Sequence, residues 1–225
     1  MRCLKIKKIF IHGWSFSSQI WKNLYNAENS IFLDLPFHGS NRDYTDSQIL
    51  EKFSSDVLQT IEQSQEEVSL IGWSLGATVC VLTALKKPKK LKKIILVGFS
   101  PKFMDRKLGH NPVFVKAFFL ALKTDFKDTV LNFRKLATGK KFSDIPLPQK
   151  EGSIKLLREF VNLDLTDSLS QIDIPVYLIH GKKDRVINYQ ASVFASQQFK
   201  NARLILTEDN HAPFLKNSEL IARLV

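Results

Sequence analysis

The sequence predicts an α/β fold in which a mostly parallel, doubly wound sheet carries an inserted helical cap. Short runs of apolar, β-branched residues alternate with longer segments whose apolar residues recur at helical spacing. Strands that alternate with helices form a parallel sheet covered on both faces. Between about residues 101 and 165 the alternation stops and only helical patterns remain. We therefore expect a single domain over residues 1–225, with the cap inserted at about 101–165.

Six segments have the short, apolar composition of strands. They cover residues 8–11, 30–34, 67–71, 94–97, 176–179 and 203–206. The segment 45–63 is predicted to be a helix because Ile49, Phe53 and Val57 fall on one helical face. The other predicted helices are 19–25 and 77–85, followed in the cap by 113–122, 126–136 and 153–161.

The composition is that of an ordinary globular chain, with 44% hydrophobic and 24% charged residues. No apolar run approaches the roughly 18 residues that a membrane helix needs. The basic N-terminus lacks the apolar region and cleavage site of a signal peptide. Two cysteines make no disulfide framework, Cys80 lies in an apolar stretch typical of a buried thiol, and no Cys/His cluster has zinc-ligand spacing. These features predict a cytoplasmic protein without a metal.

The strongest local motif is Gly72-Trp73-Ser74-Leu75-Gly76. A nucleophilic serine must stand on a tight strand-to-helix turn so that its hydroxyl is exposed above the sheet, and the crowded backbone requires small residues two positions away on each side. A predicted strand precedes the motif and an apolar helix follows it. Ser74 is therefore the predicted nucleophile, and a chance glycine-rich turn is the alternative.

A serine hydroxyl needs a base to take its proton, and the candidate partners follow two later strands. His211 follows the sixth predicted strand and Asp184 follows the fifth, which gives the chain order serine, acid, histidine. We expect His211 to be the general base and Asp184 to hold its ring in the correct tautomer. Asp209 is the alternative acid, disfavoured by its closeness to His211 in sequence.

The negative charge on an attacked carbonyl oxygen needs N–H donors in fixed positions. The backbone amide of Leu75, at the start of a helix, is one predicted donor. The backbone amide of Trp14, in the loop after the first strand, is the other. His12 and His38 are predicted to shape the neighbouring loops, although His12 could also act as a second base. His180 closes a strand and is assigned no catalytic role.

The nucleophile turn, the order of the triad and the cap together indicate the α/β-hydrolase fold. Within that fold, the chain resembles the pimeloyl-acyl-carrier-protein methyl ester esterases of biotin synthesis over about residues 8 to 222. The motifs that carry the resemblance are His12-Gly13-Trp14, Asp34-Leu35-Pro36-x-His38-Gly39, Gly72-Trp73-Ser74-Leu75-Gly76 and His211-Ala212-Pro213-Phe214.

The resemblance implies hydrolysis of the methyl ester of a pimeloyl chain carried by acyl carrier protein. The acyl-enzyme chemistry needs no cofactor or metal. The chain departs from the family pattern at Phe37, where glycine is usual, and at Ala77, which replaces a second glycine. The substrate contacts that the resemblance implies are Trp14, Ser74, Leu75, His211 and the cap residues Phe133, Arg134, Lys135, Leu136 and Ala137.

Most of the chain's positive charge lies in the predicted cap. Of the formal net charge of +11, residues 102–158 contribute +8, from thirteen Lys or Arg and five acidic residues. A cap overhangs the carboxyl edge of the sheet, so its charge would attract an acidic partner to the mouth of the site. Acyl carrier proteins are acidic; the alternative is a solvated, lysine-rich surface. The predicted docking residues are Lys123, Lys127, Arg134, Lys135, Lys140 and Lys141.

Three functions remain open at this stage. The first is the carrier-dependent carboxylesterase, and the second is a small-molecule carboxylesterase or carbon–carbon bond hydrolase without a carrier. The third is a non-catalytic ligand receptor that keeps the pocket. The basic charge is compatible with nucleic-acid binding, but no helix-turn-helix, zinc-finger or aromatic RNA-binding pattern is present. We expect a monomer with no membrane or nucleic-acid partner.

Overall fold

The computed structural model describes residues 6–45 and 47–225 and contains a sheet of six strands. The strands are β1 Ile6–Ile11, β2 Ser30–Leu33, β3 Glu67–Trp73, β4 Leu91–Val97, β5 Val176–Gly181 and β6 Ala202–Thr207. They lie in the order β2-β1-β3-β4-β5-β6, and every neighbouring pair is parallel. The predicted α/β class with a parallel sheet is confirmed.

The helices separate the strands along the chain. They are α1 Gln19–Lys22, α2 Ile49–Gln63, α3 Leu75–Leu85, α4 Pro112–Thr124, α5 Phe126–Thr138, α6 Lys150–Asn162, α7 Gln190–Gln198 and α8 Glu219–Ala222, with short 3-10 helices at Leu169–Gln171 and Pro213–Leu215. Helices α4, α5 and α6 fall within the predicted cap segment. Among the described residues, no helix is both long and apolar enough to cross a bilayer.

Alternate residues of the strands pack against opposite helical layers, as the twofold period of a strand requires. Ile9 and Ile11 of β1 belong to the apolar cluster that includes residues of α2 and α3. Phe10, between them, belongs to the cluster on the other face and packs against Trp21 of α1, with 5.5 Å between ring centroids. The sheet is therefore covered on both faces.

Helix α2 begins at Ile49, four residues later than the predicted start of the helix. The two carboxylate oxygens of Glu159 accept hydrogen bonds from the amides of Ile49 and Leu50, each over 3.0 Å. These amides are among the donors that a helix leaves unsatisfied at its N-terminus. Because Glu159 lies on α6, the start of α2 is fixed by the cap segment and has no local signal in the sequence.

The parallel arrangement brings the predicted site residues to one edge of the sheet. Ile11 aligns with Gly72, and Trp73 aligns with Val97, so β1, β3 and β4 end at nearly the same level. The loops after these strands, and after β5 and β6, open at the carboxyl edge, where ligands bind in open α/β sheets.

Gly76→Ala should destabilise the protein because α3 lies too close to β1 for a side chain. An added Cβ would come within 2.4 Å of the Ile11 carbonyl oxygen and 2.5 Å of the His12 carbonyl oxygen. We expect the free energy of unfolding, measured in urea, to fall by about 1–3 kcal/mol. Gly139→Ala is the control, since its nearest neighbour is 3.9 Å away and only its φ of 84° opposes a side chain. An equal or smaller loss for Gly76→Ala would contradict the steric argument.

Candidate active site

Ser74 stands on a sharp turn between β3 and α3. It has φ 56° and ψ −119°, a conformation that is strained for a residue with a side chain. The Ser74 amide donates to the Val97 carbonyl over 2.8 Å, and the Ser74 carbonyl accepts from the Ala77 amide over 2.9 Å. An added Cβ at Gly72 would lie 2.3 Å from the Gly76 carbonyl oxygen. The turn therefore requires glycine at this position.

The structure brings Asp184 and His211 into direct contact. Asp184 lies in the loop after β5 and His211 in the loop after β6, and Nδ1 of His211 donates to Oδ2 of Asp184 over 2.6 Å. Trp73 Nε1 donates to the carbonyl of His211 over 2.8 Å and so fixes its backbone beside the serine turn. The alternative acid, Asp209, pairs with Lys216 over 3.0 Å instead.

Asp184 is held ionised by its partners. Burial alone would raise the pKa of this carboxyl, but attraction to His211 and hydrogen bonds from His180 and His211 lower the pKa well below its ordinary value. Its second oxygen, Oδ1, accepts from the amides of Val186 and Ile187 over 2.7 and 2.9 Å. Such a carboxylate can orient an imidazole and stabilise its protonated form.

The remaining ring nitrogen of His211 is left without a protein partner. Nε2 is buried and forms no hydrogen bond within the described residues, and the Ser74 hydroxyl likewise forms none with it. The ring lies directly over Gly98, where an added Cβ would come within 2.8 Å of Cε1. Serine–histidine hydrogen bonds in unliganded sites often tighten only when substrate binds. The arrangement leaves Nε2 available to accept a proton.

His180 belongs to the same hydrogen-bond network, although the sequence predicted no role for it. Its Nε2 faces two acceptors, Asp184 Oδ2 at 2.9 Å and the Ile187 carbonyl at 3.2 Å, and therefore carries the proton. Its Nδ1 contacts the hydroxyl of Ser192 over 2.7 Å. Asp184 thus lies between two imidazoles. The four-residue spacing from His180 to Asp184 across a turn is the sequence feature that could have predicted this contact.

Two buried histidines hold the loop after β1, as the sequence predicted for His12 and His38. Nδ1 of His12 donates to the Gly13 carbonyl over 2.8 Å, and its Nε2 accepts from the Leu35 amide over 3.0 Å. Nδ1 of His38 donates to the Pro36 carbonyl over 2.8 Å, and its Nε2 accepts from the Ser15 amide over 3.1 Å. Each ring is therefore neutral, with its proton on Nδ1.

A cavity of about 540 Å³ opens onto Ser74, with Trp14 and Leu75 in its wall. Its lining is mostly apolar, and Phe118 and Phe133 pack against the Trp14 ring at centroid distances of 5.7 and 5.3 Å. The aromatic cap residues therefore line the cavity as well as fill the core. The polar side chains of the lining are Ser74, His110, Thr129, Asn132 and Arg185.

The predicted cap contacts divide between the two sides of α5. Phe133 and Leu136 line the cavity. Arg134 and Ala137 do not, which corrects the prediction, because helical geometry turns these two positions toward the core, where both are buried. Lys135 is exposed and lies outside the lining. His211 is buried and is not part of the lining either.

The predicted docking charges are exposed with a single exception. Lys123, Lys127, Lys135, Lys140 and Lys141 all face solvent. Arg134 has no exposed surface, so its assignment as a docking residue was wrong. This burial could not be predicted from the helical pattern, because an arginine at this position is compatible with either face of the helix.

The fold and the motif of the turn together place the chain in a known class. It belongs to the alpha/beta hydrolase family, whose sequence pattern matches residues 9–224. It is 31% identical to the pimeloyl-[acyl-carrier protein] methyl ester esterase of Wigglesworthia glossinidia brevipalpis, over 98% of this chain and 92% of that protein. It is 29% identical to the esterase of the same name from Nitrosospira multiformis, over 96% and 92% of the two chains. The resemblance predicted from the motifs is confirmed.

Solved structures show the same fold. An esterase from Exiguobacterium antarcticum superposes with a TM-score of 0.85 at 22% identity, over 98% of this chain and 90% of that one. The MenH structure from S. aureus superposes with a TM-score of 0.79 at 17% identity, over 97% and 91%. At these identities the likeness concerns the fold alone.

Acid should destabilise the protein through His38. Burial lowers the pKa of His38 from 6.5 to about 3. Between pH 6.5 and 3 the unfolded chain therefore binds a proton that the folded chain does not. The contribution of neutral His38 to the free energy of unfolding is therefore complete above pH 6.5. At pH 5 about 2 kcal/mol of this contribution is lost.

The measurement compares urea unfolding at pH 7 and pH 5 in the wild type and in His38→Gln. Glutamine can still offer an acceptor to the Ser15 amide, but it does not titrate. We expect a smaller pH-dependent loss in the variant. Equal losses in both proteins would refute the assignment to His38.

Proposed function

We propose that this chain is a serine carboxylesterase that hydrolyses the methyl ester of a pimeloyl chain attached to acyl carrier protein. The proposal rests above all on the Asp184–His211 hydrogen bond, which leaves His211 Nε2 as a buried base near a cavity that opens onto Ser74. The names of the two esterase relatives, which match nearly the whole chain, support this substrate.

The proposed chemistry proceeds through an acyl-enzyme. His211 Nε2 takes the Ser74 proton as Oγ attacks the ester carbonyl, and the amides of Trp14 and Leu75 donate to the oxyanion. The imidazolium then protonates the departing methoxide, which leaves as methanol. A water molecule, deprotonated by His211, attacks the acyl-enzyme, and His211 returns the proton to Ser74 as the carboxylic acid is released. The acid then loses its own proton to solvent and becomes the carboxylate. Asp184 stays ionised throughout.

The cavity suits a methylene chain better than a charged group. Phe118, Phe133 and Phe160 contribute to its largely apolar wall, which favours burial of the acyl chain. The product carries a carboxylate where the substrate carried a neutral ester, and a charge is unfavourable against an apolar lining. Hydrolysis therefore weakens binding at the buried end and favours release of the product.

The outer surface of the cap offers both charge and apolar contact to a carrier protein. Lys123 and Lys127 flank the junction of α4 and α5, and Val113 and Leu120 of α4 are each 64% exposed. An acidic protein with an apolar stripe would complement this surface. Docking there would hold the thioester near the mouth while the methyl ester reaches Ser74.

A small-molecule carboxylesterase or carbon–carbon bond hydrolase is the second candidate. The burial of Arg134 favours it, since this removes one cation from the expected docking surface. A non-catalytic receptor would keep the cavity but has no need of an ionised Asp184 bonded to His211. Activity measurements separate the three.

Ser74→Ala should abolish ester hydrolysis because it removes the nucleophile. We expect kcat on methyl pimeloyl carrier protein and on a p-nitrophenyl ester to fall by about 10⁶-fold. The wild-type gene, but not the Ser74→Ala gene, should restore growth without biotin to a strain lacking this esterase. Unchanged turnover in the variant would sink the mechanism, and a wild type inactive on every ester would favour the receptor.

Charge reversal at Lys127 and Lys135 should weaken the use of carrier-bound substrate. We expect the ratio of kcat/KM on carrier-bound methyl pimeloyl ester to that on the free dimethyl ester to fall roughly tenfold, with a similar effect of added salt. Lys89→Glu, exposed near the start of β4 at the opposite edge of the sheet, is the control. A ratio that responds to neither charge nor salt would favour the small-molecule enzyme.

A further inference from the structure

Arg134, on the cap helix α5, is a buried cation whose hydrogen bonds all go to backbone carbonyls. Its Nη1 donates to the carbonyls of Phe142 and Ile145 over 2.7 and 2.8 Å, and its Nη2 donates to that of Pro146 over 3.0 Å. Its Nε donates to the Ser15 carbonyl over 3.0 Å, and Nη2 donates to the same oxygen. All five N–H groups of the guanidinium are therefore used.

This arrangement is unusual because no acidic side chain forms an ion pair with the buried cation. Within the described residues, no carboxylate lies at ion-pair distance from Arg134, and the attraction of Asp144 acts from further away. The Phe16 ring lies 5.4 Å from the guanidinium carbon. Burial lowers the pKa of Arg134 to about 10, so the side chain remains charged at neutral pH. An apolar residue could fill the same space without desolvating a charge. The cation therefore calls for an explanation other than packing.

The explanation lies in the position of its carbonyl partner. Ser15 directly follows Trp14, whose amide is the proposed oxyanion donor, and has a φ of 73°, in the left-handed region. Its amide donates to Nε2 of His38 over 3.1 Å, and its carbonyl accepts from Arg134. The strained residue is thus held from both sides, once by the core and once by the cap.

The same helix also fixes the side chain of Trp14. Phe133, next to Arg134, packs edge-on against the Trp14 indole at 5.3 Å, and Trp14 Nε1 donates to the Ser153 carbonyl of α6 over 3.0 Å. The backbone after Trp14 and its ring are therefore both attached to the cap.

We propose that Arg134 is a positioning residue for ester hydrolysis: through the Ser15 carbonyl it holds the Trp14 amide in line with the oxyanion and couples that alignment to the placement of the cap. The inference rests on the part of the proposed function in which Ser74 attacks an ester carbonyl, and it is independent of which ester is used. Arg134 lies outside the cavity lining, so it acts through Ser15 and does not touch substrate.

The test uses Arg134→Gln and Arg134→Lys in the full-length protein. With a p-nitrophenyl ester we expect kcat to fall 10- to 100-fold in Arg134→Gln while KM changes less than about threefold, since a misaligned donor acts on the transition state. Affinity for a boronic acid that mimics the tetrahedral intermediate should fall in parallel with kcat. Lysine keeps a charged donor and should recover part of the loss.

Arg158→Gln and Arg158→Lys are the matched controls. Arg158 lies on the cap helix α6, is exposed, and contacts the Phe119 ring at 5.7 Å. Its replacement removes the same charge from the cap without touching the loop after β1. We expect kcat and boronic acid affinity to stay within twofold of the wild type.

Amide hydrogen exchange gives a readout that does not depend on turnover. In Arg134→Lys, and in Arg134→Gln if it folds, exchange in the peptide that covers residues 13–18 should be faster, while the peptides of β3 and β4 are unchanged. Unchanged exchange there, or a loss confined to KM, would overturn the proposal. If the wild type hydrolysed no ester, the proposed function would fail, and exchange alone would decide whether Arg134 holds the loop.

Discussion

The approach of the β3–α3 turn to the end of β1 determines where the other parts of the site can lie. An added Cβ at Gly76 would come within 2.4 Å of the Ile11 carbonyl oxygen, so only a hydrogen atom fits between α3 and the end of β1. Within the turn itself, an added Cβ at Gly72 would come within 2.3 Å of the Gly76 carbonyl oxygen. The approach places the first amide of α3 and the loop after β1 beside Ser74. The buried sheet around this serine stabilises its unfavourable backbone conformation. The packing of the core therefore determines the geometry of the site.

Hydrogen bonds give the four buried imidazoles of this region different properties. His12 and His38 each donate from Nδ1 and accept at Nε2, so neither can bind a proton without losing a bond to the backbone. His180 donates to Asp184 from Nε2. Among the described residues, His211 alone of the four keeps a ring nitrogen without a bond. Histidine thus has three different roles here: His12 and His38 hold loops, His180 holds the Asp184 carboxylate, and His211 is the candidate base.

Local patterns predicted the strands, most helices and the motif of the turn because their causes are local: periodicity, small residues at a tight turn and chain order. Phe37 shows a limit of that approach. Phe37 has a φ of 67°, a backbone conformation that favours glycine and so accounts for the glycine in the family pattern at this position. The structure nevertheless accommodates the aromatic residue. The start of α2 and the burial of Arg134 were unpredictable for another reason: their partners, Glu159 and the Ser15 carbonyl, are more than 100 positions away in sequence.

The all-parallel sheet has a consequence for how the chain reaches this structure. Each strand pairs with neighbours that are distant in sequence. Strand β5 can align with β4 only after the chain between Val97 and Val176, which contains α4, α5 and α6, has been bridged. The entropy of closing such long loops is lost before the stabilising contacts form, and this slows folding. Apolar strands stay exposed in the meantime. During synthesis β1, β3 and β4 emerge well before β5 and β6. The half of the sheet that precedes Ser74 therefore keeps an unpaired edge until the half that precedes Asp184 and His211 has been made.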